Sequence, residues 1–233
     1  MISVVIPTRN SEEALVRTLS TLVTGAADGT VREVVVVDGG SEDQTRLVAE
    51  GTGCDLISAA GGAWARCAIG AAAAQRGEFL MFLRPGVLLD PGWESDFQAT
   101  AERRLRHGDS RFVAVFRLAS DDDTLGGGLK HYLLRLFGRC AGVTHPDQGM
   151  IISRGYFREL GGFSRRDGLA GIDLIRRAGH RRLVRLRTPV VRVIADGQDA
   201  TIAGGGALGA LAGLLLAIRL PIGVVAGLTG RRV

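Results

Sequence analysis

Cysteine is scarce in this chain, and what there is does not cluster. Cys54, Cys67 and Cys140 are the only three in 233 residues, odd in number and far apart, with no CxxC pair and no Cys/His group. That pattern excludes a disulfide framework and a structural zinc site, and a reducing cytoplasm is the expected compartment. Lysine is scarcer still: Lys130 is the single one among 29 basic residues, so nearly all the positive charge is guanidinium. Aromatic residues make up 5% against 34 glycines, which points to frequent turns and close packing of small side chains. The one GxGxxG match, Gly204–Gly209, lies in an uncharged stretch far from the strand runs, and Gly61-Gly62 lacks the spacing of a phosphate loop, so the pattern argues against a dinucleotide-binding fold. There is no internal repeat, and 46% hydrophobic with 23% charged residues excludes disorder, collagen and coiled coil. Met1–Pro7 has no basic stretch before its apolar run, so no signal peptide is expected.

What is present is a regular alternation. Ile2–Ile6 is a β-branched run stopped by Pro7, and Glu33–Val37 is a second such run. Continuous apolar runs of this length suit strands covered on both faces. Asp55–Ser58 and Phe79–Leu83 read as further strands. Between them lie helical segments: one opening at Asn10-Ser11-Glu12-Glu13 and carrying Leu15, Leu19, Leu22 and Val23, then Glu42–Glu50, then Ala65–Gln75. The order β-α-β-α predicts an α/β fold with a mostly parallel, doubly wound sheet. Beyond it, Trp93–His107 reads as a helix and Phe112–Leu118 as a strand. Helices near Leu129–Phe137, Tyr156–Leu160 and Ile172–Ala178 follow, with strands at Gly149–Ser153, Leu183–Leu186 and Val190–Val193.

After Asp199 the composition changes. Ile202 to Ile218 carries no charge, Arg219 interrupts, and Leu220 to Gly230 is again uncharged. As a helix the first stretch is about 25 Å long, slightly short of the roughly 20 residues a spanning helix needs. Leu208, Leu211, Leu215 and Ile218 form one face, and Gly and Ala most of the other. Such a helix lies in a membrane interface, dips into the bilayer, spans it, or packs on the domain, a second copy or a partner membrane protein. The expected division is a domain over 1–199, with a nucleotide half over about 1–92 and an acceptor half over about 93–199, followed by a hydrophobic tail over 200–233. The net charge of 29 − 24 = +5 suits phosphate-bearing ligands or an anionic membrane surface, and no nucleic-acid partner is expected.

In an open parallel sheet, ligands bind beyond the carboxyl ends of the strands. Three polar clusters sit there: Pro7-Thr8-Arg9-Asn10, Asp38-Gly39-Gly40-Ser41-Glu42-Asp43, and Arg84-Pro85-Gly86. Asp38 follows a run of four valines, where a carboxylate can accept from a base N–H or a ribose hydroxyl. It could equally cap a helix entered at Ser41. Gly39 lets the backbone approach a ligand. Thr8 and Asn10 suit either ligand contacts or caps and turns.

The stretch Ile2-Ser3-Val4-Val5-Ile6-Pro7-Thr8-Arg9-Asn10, then Val34–Val37 leading into Asp38-Gly39-Gly40-Ser41-Glu42-Asp43-Gln44-Thr45, resembles the opening of family 2 glycosyltransferases. Arg76-Gly77-Glu78-Phe79-Leu80-Met81-Phe82-Leu83 resembles the strand before that family's metal motif. Asp147-Gln148-Gly149-Met150 and Phe157-Arg158-Glu159-Leu160-Gly161-Gly162-Phe163 are similar to its acceptor-side segment. The resemblance spans residues 2–193. It implies a GT-A fold, a nucleotide-diphosphate sugar donor, an acceptor bound near His145, Asp147 and Gln148, and inversion at the anomeric carbon. It also implies Mg²⁺ or Mn²⁺ held by an Asp-x-Asp motif after the Phe-Leu strand, because a hard cation takes oxygen ligands against a diphosphate.

Two departures stand out. At the Asp-x-Asp positions the chain reads Arg84-Pro85-Gly86, where Arg84 could instead bind phosphate. Where the resemblance places a Glu-Asp pair holding the general base, the chain reads Ala170-Gly171, leaving Asp173 and Asp167 as stand-ins. Arg66 lies one place from an Arg that the resemblance puts against the donor. Asp121-Asp122-Asp123 is read as a solvated loop. Three functions stay open: an inverting transferase at the cytoplasmic membrane face, a degenerate relative that binds nucleotide or partner without catalysis, and a membrane-associated scaffold.

Overall fold

The computed structural model describes residues 1–119, 148–164 and 170–193. The helix read near 129–137, the Asp121–Asp123 loop and the hydrophobic tail lie outside the described residues. The order is β1 (Ile2–Thr8), α1 (Glu12–Ser20), α2 (Val23–Ala27), β2 (Val31–Asp38), α3 (Thr45–Gly51), β3 (Asp55–Ser58), α4 (Ala63–Ala73), β4 (Phe79–Phe82), β5 (Val87–Leu89), α5 (Trp93–Arg106) and β6 (Val113–Leu118). It continues with β7 (Met150–Ser153), α6 (Arg154–Glu159), α7 (Ala170–Ala178) and β8 (Leu183–Arg192).

The strands form one sheet in the order β3-β2-β1-β4-β7-β6-β8-β5. The first four run parallel, as the apolar runs predicted, and β6 is parallel to β8. The pairings β4/β7, β6/β7 and β5/β8 are antiparallel. Only residues 83–86 link β4 to β5, although β5 ends the order, so the far half of the sheet curls back toward β4. Every residue of β1 is buried, because both faces are covered. Ile2, Val4 and Ile6 pack with α1 and α5 through Leu15, Leu19, Trp93 and Phe97. Val5 packs on the opposite face with Cys67 and Ala71 of α4, and that layer continues to Phe157 and Leu174. Gly70 lets α4 sit this low: a Cβ there would lie 2.4 Å from Val5 Cγ1.

Three readings need correction. Leu183–Leu186 and Val190–Val193 are one strand, β8, carried across Pro189 by a bulge between its pairings with Val115 and Arg117. Asp96 Oδ2 holds that bulge by accepting from Arg187 N–H (2.7 Å), Thr188 N–H (2.9 Å) and Thr188 Oγ1 (3.1 Å). The helix read from Glu42 begins at Thr45, and Val23 belongs to the separate α2.

At the amino ends of the strands, buried Glu33 takes hydrogen bonds from Ser3 Oγ (2.5 Å), Gln75 N–H (2.8 Å) and Arg76 N–H (2.5 Å). Burial pushes its carboxyl up, but these donors outweigh burial and hold it below its ordinary value of 4.5. A depressed carboxylate stabilises the fold above its unfolded value and loses that contribution as pH falls through the folded one. Glu33→Gln is therefore expected to cost about 2 kcal/mol at pH 7 and to flatten the acid limb of the stability curve below pH 4.5. Denaturant titrations at pH 7 and pH 3.5 would check this; an unchanged acid limb would contradict it.

Candidate functional site

The chain leaves β1 outward to β2 and β3, then returns to lay β4 on the other side of β1. That reversal opens a crevice beyond the carboxyl ends of β1 and β4, where ligands settle in such sheets. The predicted clusters at Thr8, Asp38 and Arg84 all lie along this edge, because Thr8 pairs with Asp38 and β4 runs parallel to β1.

Asp38 is fully buried there and is the hub of the edge. Its Oδ2 accepts from Gly40 N–H (3.1 Å) and Ser41 N–H (2.9 Å), and its Oδ1 from the Ser41 hydroxyl and Thr8 Oγ1 (3.3 Å). Burial pushes its carboxyl up, and these four donors more than reverse that, so it is held below the usual carboxylate range. The loops after β1 and β2 are laced further. Asn10, at a positive φ of 46°, donates its N–H to Ser41 Oγ (2.9 Å) and accepts Glu42 N–H at Oδ1 (2.8 Å). Asp43 takes Glu12 N–H (3.0 Å) and Thr45 N–H (3.0 Å). Asp38 does not cap a helix at Ser41; Asp43 serves the start of α3 instead. Pro7, Thr8, Asn10, Asp38 and Ser41 are thus brought together as predicted, with their polar groups bonded mainly to one another. Asp43 and Thr45, not among the expected site residues, complete the lacing; the Asp-x-Thr spacing was the available signal.

Two arginines reach the same edge. Arg66 is buried in the first turn of α4, and its guanidinium packs on Gly39, where an added Cβ would lie 2.5 Å from its Nη1. Nη1 donates to the Gly61 carbonyl. Gly39 therefore serves the close approach of this arginine. Arg84 is half-buried two residues past β4. Burial pushes the Cys67 thiol up to about 12, and the charges of Arg66 and Arg84 pull against that rise, so both guanidiniums stand on the α4 side of the sheet. The turn after Arg84 is fixed: Val87 N–H bonds the Arg84 carbonyl (3.2 Å), with Pro85 and positive-φ Gly86 (84°) between. Gly86 N–H bonds Thr18 Oγ1 (2.9 Å), and its carbonyl accepts Val193 N–H (2.9 Å).

On the acceptor side, β7 runs antiparallel to β4 with Met150 opposite Phe82, which brings Gln148-Gly149 beside Leu83 and Arg84. His145, Asp147 and Asp167 lie outside the described residues. Asp173 pairs with Arg177 (3.0 Å), which also holds the Leu160 and Gly162 carbonyls, so it ties α7 to the Gly161-Gly162 turn. Ala170 and Gly171, where the base pair was expected, are buried; a Cβ on Gly171 would lie 2.4 Å from the Trp64 ring. Trp64, missed in the sequence, stacks on Phe163 (5.0 Å) and closes this side.

Among the described residues, the divalent cation implied by the resemblance finds no fitting ligand set at the end of β4. Neither Arg84 nor Gly86 offers an oxygen side chain. An acid at position 86 would place Cβ 2.6 Å from the Val193 carbonyl oxygen, at a φ that L side chains rarely adopt. Among the described residues, no three His, Cys, Asp or Glu side chains gather as a metal site.

Residues 3–103 match the family model described as glycosyl transferase family 2. No curated protein matches the chain. Among solved structures, the fold is similar to glucosyl-3-phosphoglycerate synthase from Mycobacterium tuberculosis in complex with Mn²⁺ and UDP-glucose, at 20% identity over 95% of this chain and 80% of that one, TM-score 0.63. It is also similar to S. aureus TarS 1–349 in complex with UDP-GlcNAc, at 19% identity over 96% of this chain and 69% of that one, TM-score 0.63.

Asp38→Ala leaves the amides of Gly40 and Ser41 and two hydroxyls without their acceptor. It is expected to lower unfolding free energy by about 3 kcal/mol with no ligand present. Urea denaturation checks this. An unchanged midpoint would mean that Asp38 is no part of the frame.

Proposed function

We propose, from the match of residues 3–103 to the glycosyl transferase family 2 model and from the GT-A fold, that the chain transfers a sugar from a nucleotide-diphosphate donor with inversion at the anomeric carbon. The observation that carries this reading is that the matched segment contains every strand end framing the switch-point crevice: Thr8, Asp38 and Phe82. In the reaction, an acceptor hydroxyl oxygen bonds the anomeric carbon as the bond to the diphosphate oxygen breaks. That oxygen keeps the electron pair, and the hydroxyl proton passes to a base. The laced loops after β1 and β2 give the nucleotide a rigid wall, which lowers the cost of ordering it on binding. Gln148, beside Leu83 and Arg84, is proposed to contact the acceptor.

The domain over 1–199 is proposed to work at the cytoplasmic membrane face, held by the uncharged stretches after Ile202. Among the described residues no helix is long and apolar enough to cross a membrane. A second reading, nucleotide binding without transfer, is favoured by one observation: the expected base positions are Ala170 and Gly171, sealed under Trp64.

Thermal-shift titration of the full chain with UDP-, GDP- and TDP-sugars tests the donor. One of them is expected to raise stability by about 2.7 kcal/mol at a hundredfold excess over Kd. No shift with any would end the donor reading. Binding accompanied by release of free nucleoside diphosphate supports transfer; binding without release supports the second reading. Removal of residues 202–233 is expected to move the protein from the membrane fraction to the soluble one, and unchanged fractionation would take the tail out of this account.

A further inference from the structure

The switch-point crevice carries guanidinium where the fold's relatives are expected to carry carboxylate and metal. Arg84 leaves β4 at the reversal point itself. Alternation along β4 puts Phe82 on the α4 face and Leu83 on the α5 face, so Arg84 falls on the α4 side. Arg66 comes to the same side from the first turn of α4, with its guanidinium on Gly39. The backbone disfavours an acid at position 86, because Gly86 is held at φ 84° against the Val193 carbonyl. Asp38 is bonded by four donors of its own loops.

We propose that Arg84, with Arg66 on the same side of the sheet, supplies the positive charge that faces the donor's diphosphate, so that this chain binds nucleoside diphosphates without a divalent cation. A guanidinium offers a planar fork of N–H donors that matches two phosphate oxygens at once. Arg84 thereby meets the negative charge that the diphosphate gains when the sugar–oxygen bond breaks. It keeps that charge at any accessible pH, which a metal held by carboxylates does not. The inference rests on the donor reading above but fails separately from it.

The test is calorimetric titration of the full chain with UDP, GDP and their sugars, once in EDTA and once in Mn²⁺. The expected result is the same affinity in both. Arg84→Met is expected to weaken binding about tenfold or more, as loss of a charge-assisted hydrogen bond does. Arg84→Lys should recover part of it, and Arg106→Met, on the exposed end of α5, should leave it unchanged. Binding that appears only with Mn²⁺, or that Mn²⁺ tightens about tenfold, overturns the inference while the donor site stands. Full affinity in Arg84→Met in EDTA overturns it as well. No binding in either buffer removes the donor reading and this inference together. The wild-type comparison of the two buffers needs no variant to fold.

Discussion

The carboxyl edge of the sheet is organised by one buried carboxylate. Asp38 sits at zero exposure at the end of β2, where an unmatched charge would cost several kcal/mol. Its environment matches it with hydroxyls and amides from Thr8, Gly40 and Ser41, and those contacts dictate the path of the chain. Gly40 must turn at a φ of 84° to aim its amide back, and Ser41 must stay close enough to receive Asn10 N–H. From there Asn10, Asp43 and Thr45 carry the lacing to the starts of α1 and α3. The wall of the crevice is a consequence of satisfying that carboxylate.

A division of labour follows along the edge. Thr8, Asn10, Asp38 and Ser41 make the frame. Arg66 and Arg84 bring guanidinium to the α4 side of this edge, and both come from outside the two laced loops. The turn after β4 is a structural joint, its Gly86 bonded to α1 through Thr18 and to the end of β8 through Val193.

Much of the first half was legible because its physics is local. Strands buried on both faces read as runs such as Val34–Val37, with Asp38 at the end of β2; Pro7, read as a stop, lies inside β1, which runs on to Thr8. The second half was less so. β8 hides behind Pro189, and its continuity depends on Asp96, some ninety residues earlier, accepting the amides of the bulge. β5 is three residues long and exists because the sheet curls back to pair it with β8. The site divides likewise. Cluster membership could be read from strand ends, but the contact between Arg66 and Gly39, and the burial of Gly171 under Trp64, are made through space by α4. Asp173, a stand-in for the base on the sequence, is bonded to Arg177 one turn along the same helix, a partner made by folding α7.

The two ends of β1 show why the arginines at the crevice have a different status from those elsewhere. Each end is clamped by a buried carboxylate: Glu33 at the amino end, Asp38 at the carboxyl end. At the amino end arginines belong to the clamp. Arg76 lies 4.0 Å from Glu33, and Arg154 donates to the carbonyls of Ala74 and Gly77. At the carboxyl end the clamp closes with neutral donors, so its carboxylate requires no guanidinium. Arg66 therefore comes to this end as an addition to the clamp and not as part of it: it is 7% exposed, packs on Gly39 where any side chain would displace it, and donates to the Gly61 carbonyl. Its guanidinium is placed by α4 and the Gly61-Gly62 turn, so the carboxylate and the arginine at this edge are held by separate sets of bonds.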